Sequence, residues 1–263
     1  MIKFYRKIRQ RLLTENKFGK YLTYAIGEII LVVIGILIAL QVNNYKESKK
    51  DLKQEITILK NIRKDIISDT LDVTFNIKYH KVFLESEKKL NAYINGNQNI
   101  SESEVDFINS LGSPLFSMLH QASFTNLQNN DLGIITNNEL KQEISRHYDF
   151  FVRVILTLEN DKREYETYPA KLPFYLKYFS TDDSKNVLSN EELNSNSYYN
   201  PNFERTDLIL INPEGLKKNS AFKIILAESI FFRQTKIQYY EDFLIRTKEL
   251  IEEINNELQQ LEH

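Results

Sequence analysis

Few residues in this chain combine the type and the spacing that chemistry needs. Its four histidines, His80, His120, His147 and His263, include no H-x-x-x-H or H-E-x-x-H pair, the spacings that set two zinc-binding groups on one helix face. Cysteine is absent, which removes disulfides, thiol nucleophiles and thiolate metal sites. Glu143 and His147 stand four residues apart and share a helix face, an ordinary helical pair that Asp149 does not join. Hydroxyl, histidine and acid residues are present, but no G-x-S-x-G or glycine-rich phosphate loop places them. Asp182-Asp183 lies among Ser and Asn without the spacing of an EF-hand. No catalytic residue, metal ligand or cofactor site is assigned, and the chain is read as a non-enzyme.

Position makes Glu28 the exception. It lies inside an otherwise apolar run, where ionisable residues usually face a partner or a cavity. Three readings stand: a contact with a basic residue in another span, a proton-carrying role, or a side chain that reaches back to the headgroups. Gly35-x-x-x-Ala39 is a small-xxx-small pair of the kind that lets two spans approach closely, which points to self-association.

The element that positions these residues is the run itself. From Ile29 to Leu40 no polar side chain occurs, and ten of the twelve residues are Ile, Leu or Val. Counted from Tyr21 to Val42 it is 22 residues, enough to cross a hydrocarbon core of about 30 Å as a helix. Before it come Lys3, Arg6, Lys7, Arg9, Arg11, Lys17 and Lys20 against one acid, Glu15; after it come Lys46, Lys49, Lys50 and Lys53 mixed with Glu47 and Asp51. That bias predicts a cytoplasmic N-terminus, and the lack of an A-x-A-like site predicts an uncleaved signal anchor. Ile2, Tyr5, Ile8 and Leu12 would make residues 1–20 an amphipathic basic leader suited to an anionic leaflet. The division expected is leader 1–20, span 21–43 and periplasmic domain 44–263.

Composition constrains that last part. The whole chain carries a net charge of −2, with +5 on residues 1–42 and therefore −7 on residues 43–263, a poor match to nucleic acid. Seven Gly and five Pro are few turn markers, and 27% charged residues favour long helices. A first helix is expected to run from the span to Asn95-Gly96, with Leu52, Ile56, Leu59, Ile66, Val73, Ile77 and Leu84 in a seam that also takes Arg63, Thr70 and His80. Capping boxes are read at Ser101–Glu104 and Thr136–Glu139, and a helix from Pro114 to about Asn129. The second box opens a helix with Leu140, Ile144, Tyr148, Phe151, Ile155, Leu158 and Tyr165 on its apolar face, ended or kinked by Pro169 and Pro173. Residues 169–218 are irregular and aromatic-rich: Tyr175, Tyr178, Tyr198 and Tyr199 either close one end of a bundle or form a partner or ligand surface. A last helix from Asn219 or Ser220 shows Phe222, Ile225, Ser229, Phe232, Tyr239 and Phe243 on one face. The fold class expected is all-α: a signal-anchor transmembrane helix followed by an elongated up-down helical bundle with long helices.

The leader Met1-Ile-Lys-Phe-Tyr-Arg-Lys-Ile-Arg-Gln-Arg-Leu-Leu13 and the span Tyr24-Ala-Ile-Gly-Glu-Ile-Ile-Leu-Val-Val-Ile-Gly-Ile-Leu-Ile-Ala-Leu-Gln-Val-Asn43 resemble a domain-of-unknown-function family of single-span membrane proteins abundant in Bacteroidota. The likeness is specific over residues 1 to about 65 and looser at Leu132–Leu140. It implies a Gram-negative inner-membrane protein and brings no activity, ligand or cofactor. The function expected is a membrane-anchored periplasmic interaction or sensing module. Its partners would be the lipid bilayer and a membrane or periplasmic protein or a second copy, with no nucleic acid. The alternatives are an envelope hydrolase with a site near 171–220 and a structural spacer.

Overall fold

The computed structural model describes residues 18–113, 115–130, 132–160, 162–186 and 206–263. They make an all-α chain with one small two-stranded sheet, in two compact units, Met1–Glu55 and Ile56–His263. Residues 1–17 of the basic leader, Pro114, the stretch 189–192, and Tyr198, Tyr199 and Phe203 lie outside the described residues.

Helix α1 runs from Phe18 to Ile94, uninterrupted as the lack of Gly and Pro after Val42 predicts. In the first unit its large side chains, Ile29 through Val42, are all exposed. It is long and apolar enough to cross a membrane. Its end is a Schellman cap: Gly96 N–H donates to Tyr93 O and Asn97 N–H to Ala92 O, with Gly96 at φ +80°, in the left-handed region glycine enters at little cost.

Within the second unit, α1 turns one stripe inward: Leu59, Ile62, Ile66, Asp69, Val73, Asn76, His80, Phe83, Glu87, Leu90 and Ile94, alternating steps of three and four. The seam expected from sequence put Arg63 and Thr70 on this face; both are only half-buried, and Ile62 and Asp69 hold those places instead. The final helix, α8 (Ser220–Glu262), runs antiparallel to it. Contacts show this directly, since they step back along α8 as they advance along α1: Lys60 with Glu262, Arg63 with Asn255, Lys81 with Glu241, Glu87 with Arg233. On α8 the buried tyrosine is Tyr240, while Tyr239, expected inside, is 43% exposed.

Between these helices the chain is cut into short pieces. The Ser101–Glu104 capping box is present, opening a 3-10 turn rather than an α-helix. Helix α2 (Phe107–Leu111) follows, capped by Asp106 and closed by Gly112 at φ +76°. The helix expected from Pro114 begins only at Ala122, as α3 (Ala122–Asn130), since residues 115–121 form no helix. Helix α4 (Asn138–Arg146) is capped by Asn137, whose Oδ1 accepts from Glu139 and Leu140 N–H, so the cap lies one residue after the expected Thr136. A π-helical turn, His147–Val152, joins α4 to α5 (Arg153–Glu159). The extra residue in that turn rotates α5 relative to α4, so the buried face passes to Tyr148, Val152, Ile155 and Glu159 and leaves Phe151 and Leu158 at its margin.

Helix α6 (Lys162–Tyr178) contains Pro169 and Pro173 within its length, so neither ends it. It leads into strand β1 (Phe179–Asn186), which pairs antiparallel with β2 (Thr206–Leu210). Helix α7 (Pro213–Lys217) starts with Asn212 as cap and Pro213 at its first position. Asn219 caps α8. Two apolar cores result. One gathers α1, α3, α4, α5 and α8 around Ile66, Ile144, Tyr148 and Phe243; the other gathers the end of α1 with α2, α6, the sheet, α7 and the start of α8 around Leu90, Tyr175, Leu216 and Phe222.

Candidate functional site

Between the two cores, α1 places a carboxylate, Glu87, where a heptad would place a leucine, and it is completely buried. Its two oxygens are taken by cations from two other helices. Lys171 Nζ on α6 donates to Oε1 at 2.7 Å, and Arg233 on α8 donates through Nε to Oε2 at 2.9 Å and through Nη2 to Oε1 at 3.1 Å. The other two donors of Lys171 are committed too. Lys171 also reaches Ser110 O at 3.0 Å and Ser229 Oγ at 3.2 Å, and Ser229 Oγ donates to Glu87 Oε1 at 2.7 Å. Arg233 Nη1 donates to His80 Nδ1 at 2.8 Å, which fixes the His80 proton on Nε2 because a guanidinium cannot accept. Gly112 makes room for this arginine: a Cβ there would sit 2.8 Å from Arg233 Nη2.

Electrostatics match the geometry. Burial raises the cost of the Glu87 charge, but Arg233 and Lys171 outweigh it and hold the carboxyl below its ordinary value. Burial lowers Lys171 to about 8 against the pull of Glu87, with Arg233 adding repulsion. His80 is held neutral by burial first, then by Lys236 and Arg233. An amine lowered this far is a candidate nucleophile or Schiff-base former. Here all three of its N–H donors point at protein oxygens and the side chain is 1% exposed, so the cluster ties α1, α2, α6 and α8 together rather than presenting an amine to a substrate.

Tyr175 and Tyr178 are 3% and 4% exposed. The Tyr175 hydroxyl is 2.6 Å from Ser110 Oγ and its ring stacks on Phe179, while Asn219 Nδ2 donates to the Tyr178 hydroxyl at 3.1 Å. These two rings therefore close the core, and the partner-surface reading does not hold for them; Tyr198 and Tyr199 lie outside the described residues.

In the first unit Glu28, Gly35 and Ala39 are separated by seven and four residues, which at about 100° per residue puts them within about 20° of one line along α1. Glu28 and Ala39 are exposed, and a Cβ at Gly35 would meet nothing within 4 Å. Residues 28–92 match DUF6090, a family of unknown function. The DUF6090 match thus begins on Glu28 and runs to near the end of α1, taking in Asp69, His80 and Glu87 of the inward stripe but neither Lys171 nor Arg233. Neither a curated protein nor a solved structure matches the chain.

Glu87, Lys171 and Arg233 were not singled out by sequence reasoning. The signal available was His80 and Glu87 spaced seven apart at inward positions of α1, two polar residues that a buried position tolerates only with partners.

Proposed function

We propose that this protein is a single-pass bacterial inner-membrane protein, N-terminus cytoplasmic, whose helical domain stands in the periplasm and works by contact with partner proteins rather than by catalysis. The apolar stretch of α1 and the basic residues before it support the topology. The observation that carries the non-catalytic reading is the closed hydrogen bonding of Lys171, the buried group best suited to chemistry, which is occupied in joining helices. In the bilayer the face that meets a second span is the line Glu28, Gly35 and Ala39, where small residues allow close approach and a carboxylate favours a polar or basic neighbour.

Photocrosslinking in native membranes tests this. A photoreactive residue at position 28 is expected to give a discrete protein adduct, to a second copy or to another span, whereas one at Leu37, on the opposite side of the helix, is expected to label lipid. Lipid adducts alone from both positions would overturn the partner reading.

A further inference from the structure

Residues 115–120 lie along α1 and are fastened to it by side chains. His120 N–H donates to Asp69 Oδ1 at 3.0 Å and Met118 N–H to Asp72 Oδ2 at 2.7 Å, so the segment runs back toward its start as α1 advances. Continued by one step, this register sets Ser117 against the next inward polar residues of α1, Asn76 and His80. Fixings from other helices agree. Ser117 N–H donates to Glu159 Oε1 on α5 at 2.8 Å, and the Tyr240 hydroxyl on α8 donates to the same oxygen. The Tyr240 ring lies 5.9 Å from the His80 ring, centre to centre. Lys236 Nζ holds Leu115 O at 2.8 Å, two residues before Ser117, and sits 5.5 Å from the centre of the Tyr240 ring. Asn76, His80 and Ser117 are thus brought to one place, where they are 2%, 0% and 4% exposed.

Each of the three has a polar atom with no hydrogen-bond partner in the protein: Asn76 Oδ1, His80 Nε2 and Ser117 Oγ. Leaving a buried polar atom unpaired is costly, and folded proteins seldom do it. What each atom can do is fixed by the rest of its side chain. Asn76 Nδ2 donates to Asp72 O at 3.0 Å, so Oδ1 is an acceptor without a donor. Arg233 Nη1 donates to His80 Nδ1, so Nε2 carries the proton and is a donor without an acceptor. The Ser117 hydroxyl can play either part.

We infer that one buried water is bound here, accepting from His80 Nε2–H, donating to Asn76 Oδ1 and sharing a hydrogen bond with Ser117 Oγ. Three bonds to otherwise unpaired groups is the usual number for a water inside a protein. The chemistry of the site selects water over an ion. A cation would face the His80 N–H with Arg233 and Lys236 close by, and an anion would face Asn76 Oδ1 beside the Glu159 carboxylate. A neutral molecule that both donates and accepts suits all three atoms. Bound there, the water joins two buried clusters through His80. Glu87 with Lys171 and Arg233 lies on one side, and Glu159 with Ser117 and Tyr240 on the other. It also ties residues 115–120 to α1 at a point where the side chains do not bond each other directly. The site stands whether or not the domain works through partners.

Nuclear magnetic resonance of the full chain in detergent micelles, isotope-labelled at the histidine nitrogens, tests this. The chain has four histidines, so substituting His120, His147 and His263 in turn identifies the His80 signal. His80 Nε2–H is expected to show a nuclear Overhauser cross-peak to the water resonance, with the sign of a long-lived bound molecule. Ser117→Ala removes the serine hydroxyl, whose exchanging proton would give a peak at the same position, and is expected to keep the cross-peak. Asn76→Leu, close in size but without a polar group, is expected to abolish it. No cross-peak in the unmodified protein, its loss in Ser117→Ala, or its survival in Asn76→Leu would overturn the proposal. The first two results decide the matter even where Asn76→Leu fails to fold.

Discussion

Glu87 answers two buried cations at once, and the cost of losing it is set by the charges left behind. Glu87→Gln leaves Lys171 and Arg233 facing each other without a counter-charge, and removing one member of a buried pair costs about 3–5 kcal/mol. Urea unfolding of the full chain in detergent should show that loss, whereas Glu85→Gln, on an exposed pair with Lys89, should change stability by less than about 1 kcal/mol. His147 makes a second prediction at this scale. Its ring packs between Tyr148 and Phe243 with neither nitrogen hydrogen-bonded, and burial lowers it to about 4. A base whose folded value is depressed contributes stability above its ordinary 6.5 that is lost as pH falls toward 4, about 2 kcal/mol by pH 5. His147→Phe should remove that acid sensitivity, seen as a flatter profile of unfolding free energy between pH 7 and 5. None of this pairing was readable from the chain: Glu87 is 84 residues from Lys171 and 146 from Arg233, and only the fold brings them together. What sequence did show was polar residues at inward positions, such as His80, without saying what would satisfy them.

At the scale of elements, legibility followed local physics. The length of α1 was readable because Gly and Pro are missing after Val42, and its end because Gly96 supplies the left-handed residue a Schellman cap needs. Asn219 was readable as the start of α8 for a similar reason: its side chain accepts from Phe222 N–H at 3.0 Å. Asn219→Ala removes that bond and the one to Tyr178, and should cost about 1–2 kcal/mol, measured as a lower midpoint of the helical circular-dichroism signal on heating. Three features were not readable because they depend on distant packing. The inward stripe of α1 was read through Leu59, Ile66, Val73 and His80, but not at Asp69, Asn76 and Glu87, polar residues that belong to it. The π turn at His147–Val152 shifts the buried face by one residue, so Val152 and Glu159 replace the expected Phe151 and Leu158. Pro169 and Pro173 look like helix breakers, yet α6 holds both within it.

At the scale of the molecule, the chain sets a helix fit to span a membrane before a domain whose strongest ionisable groups bind each other. Glu87 with Lys171 and Arg233 is balanced inside the domain, and this cluster joins α1, α2, α6 and α8, while buried Asp69 pairs with the half-exposed His120. On the proposed reading, function depends on where the domain is held and what meets it, so insertion of α1 is what matters most. The chain has no cysteine, so single-cysteine variants report without background. The most direct measurement is labelling of Ile34→Cys and Leu176→Cys by a membrane-impermeant maleimide in intact membranes. Ile34 is in the apolar stretch and Leu176 is 77% exposed on α6. The account predicts that position 176 labels from the periplasmic side and that position 34 labels only after the membrane is dissolved in denaturing detergent. Equal labelling of both positions in intact membranes would contradict it.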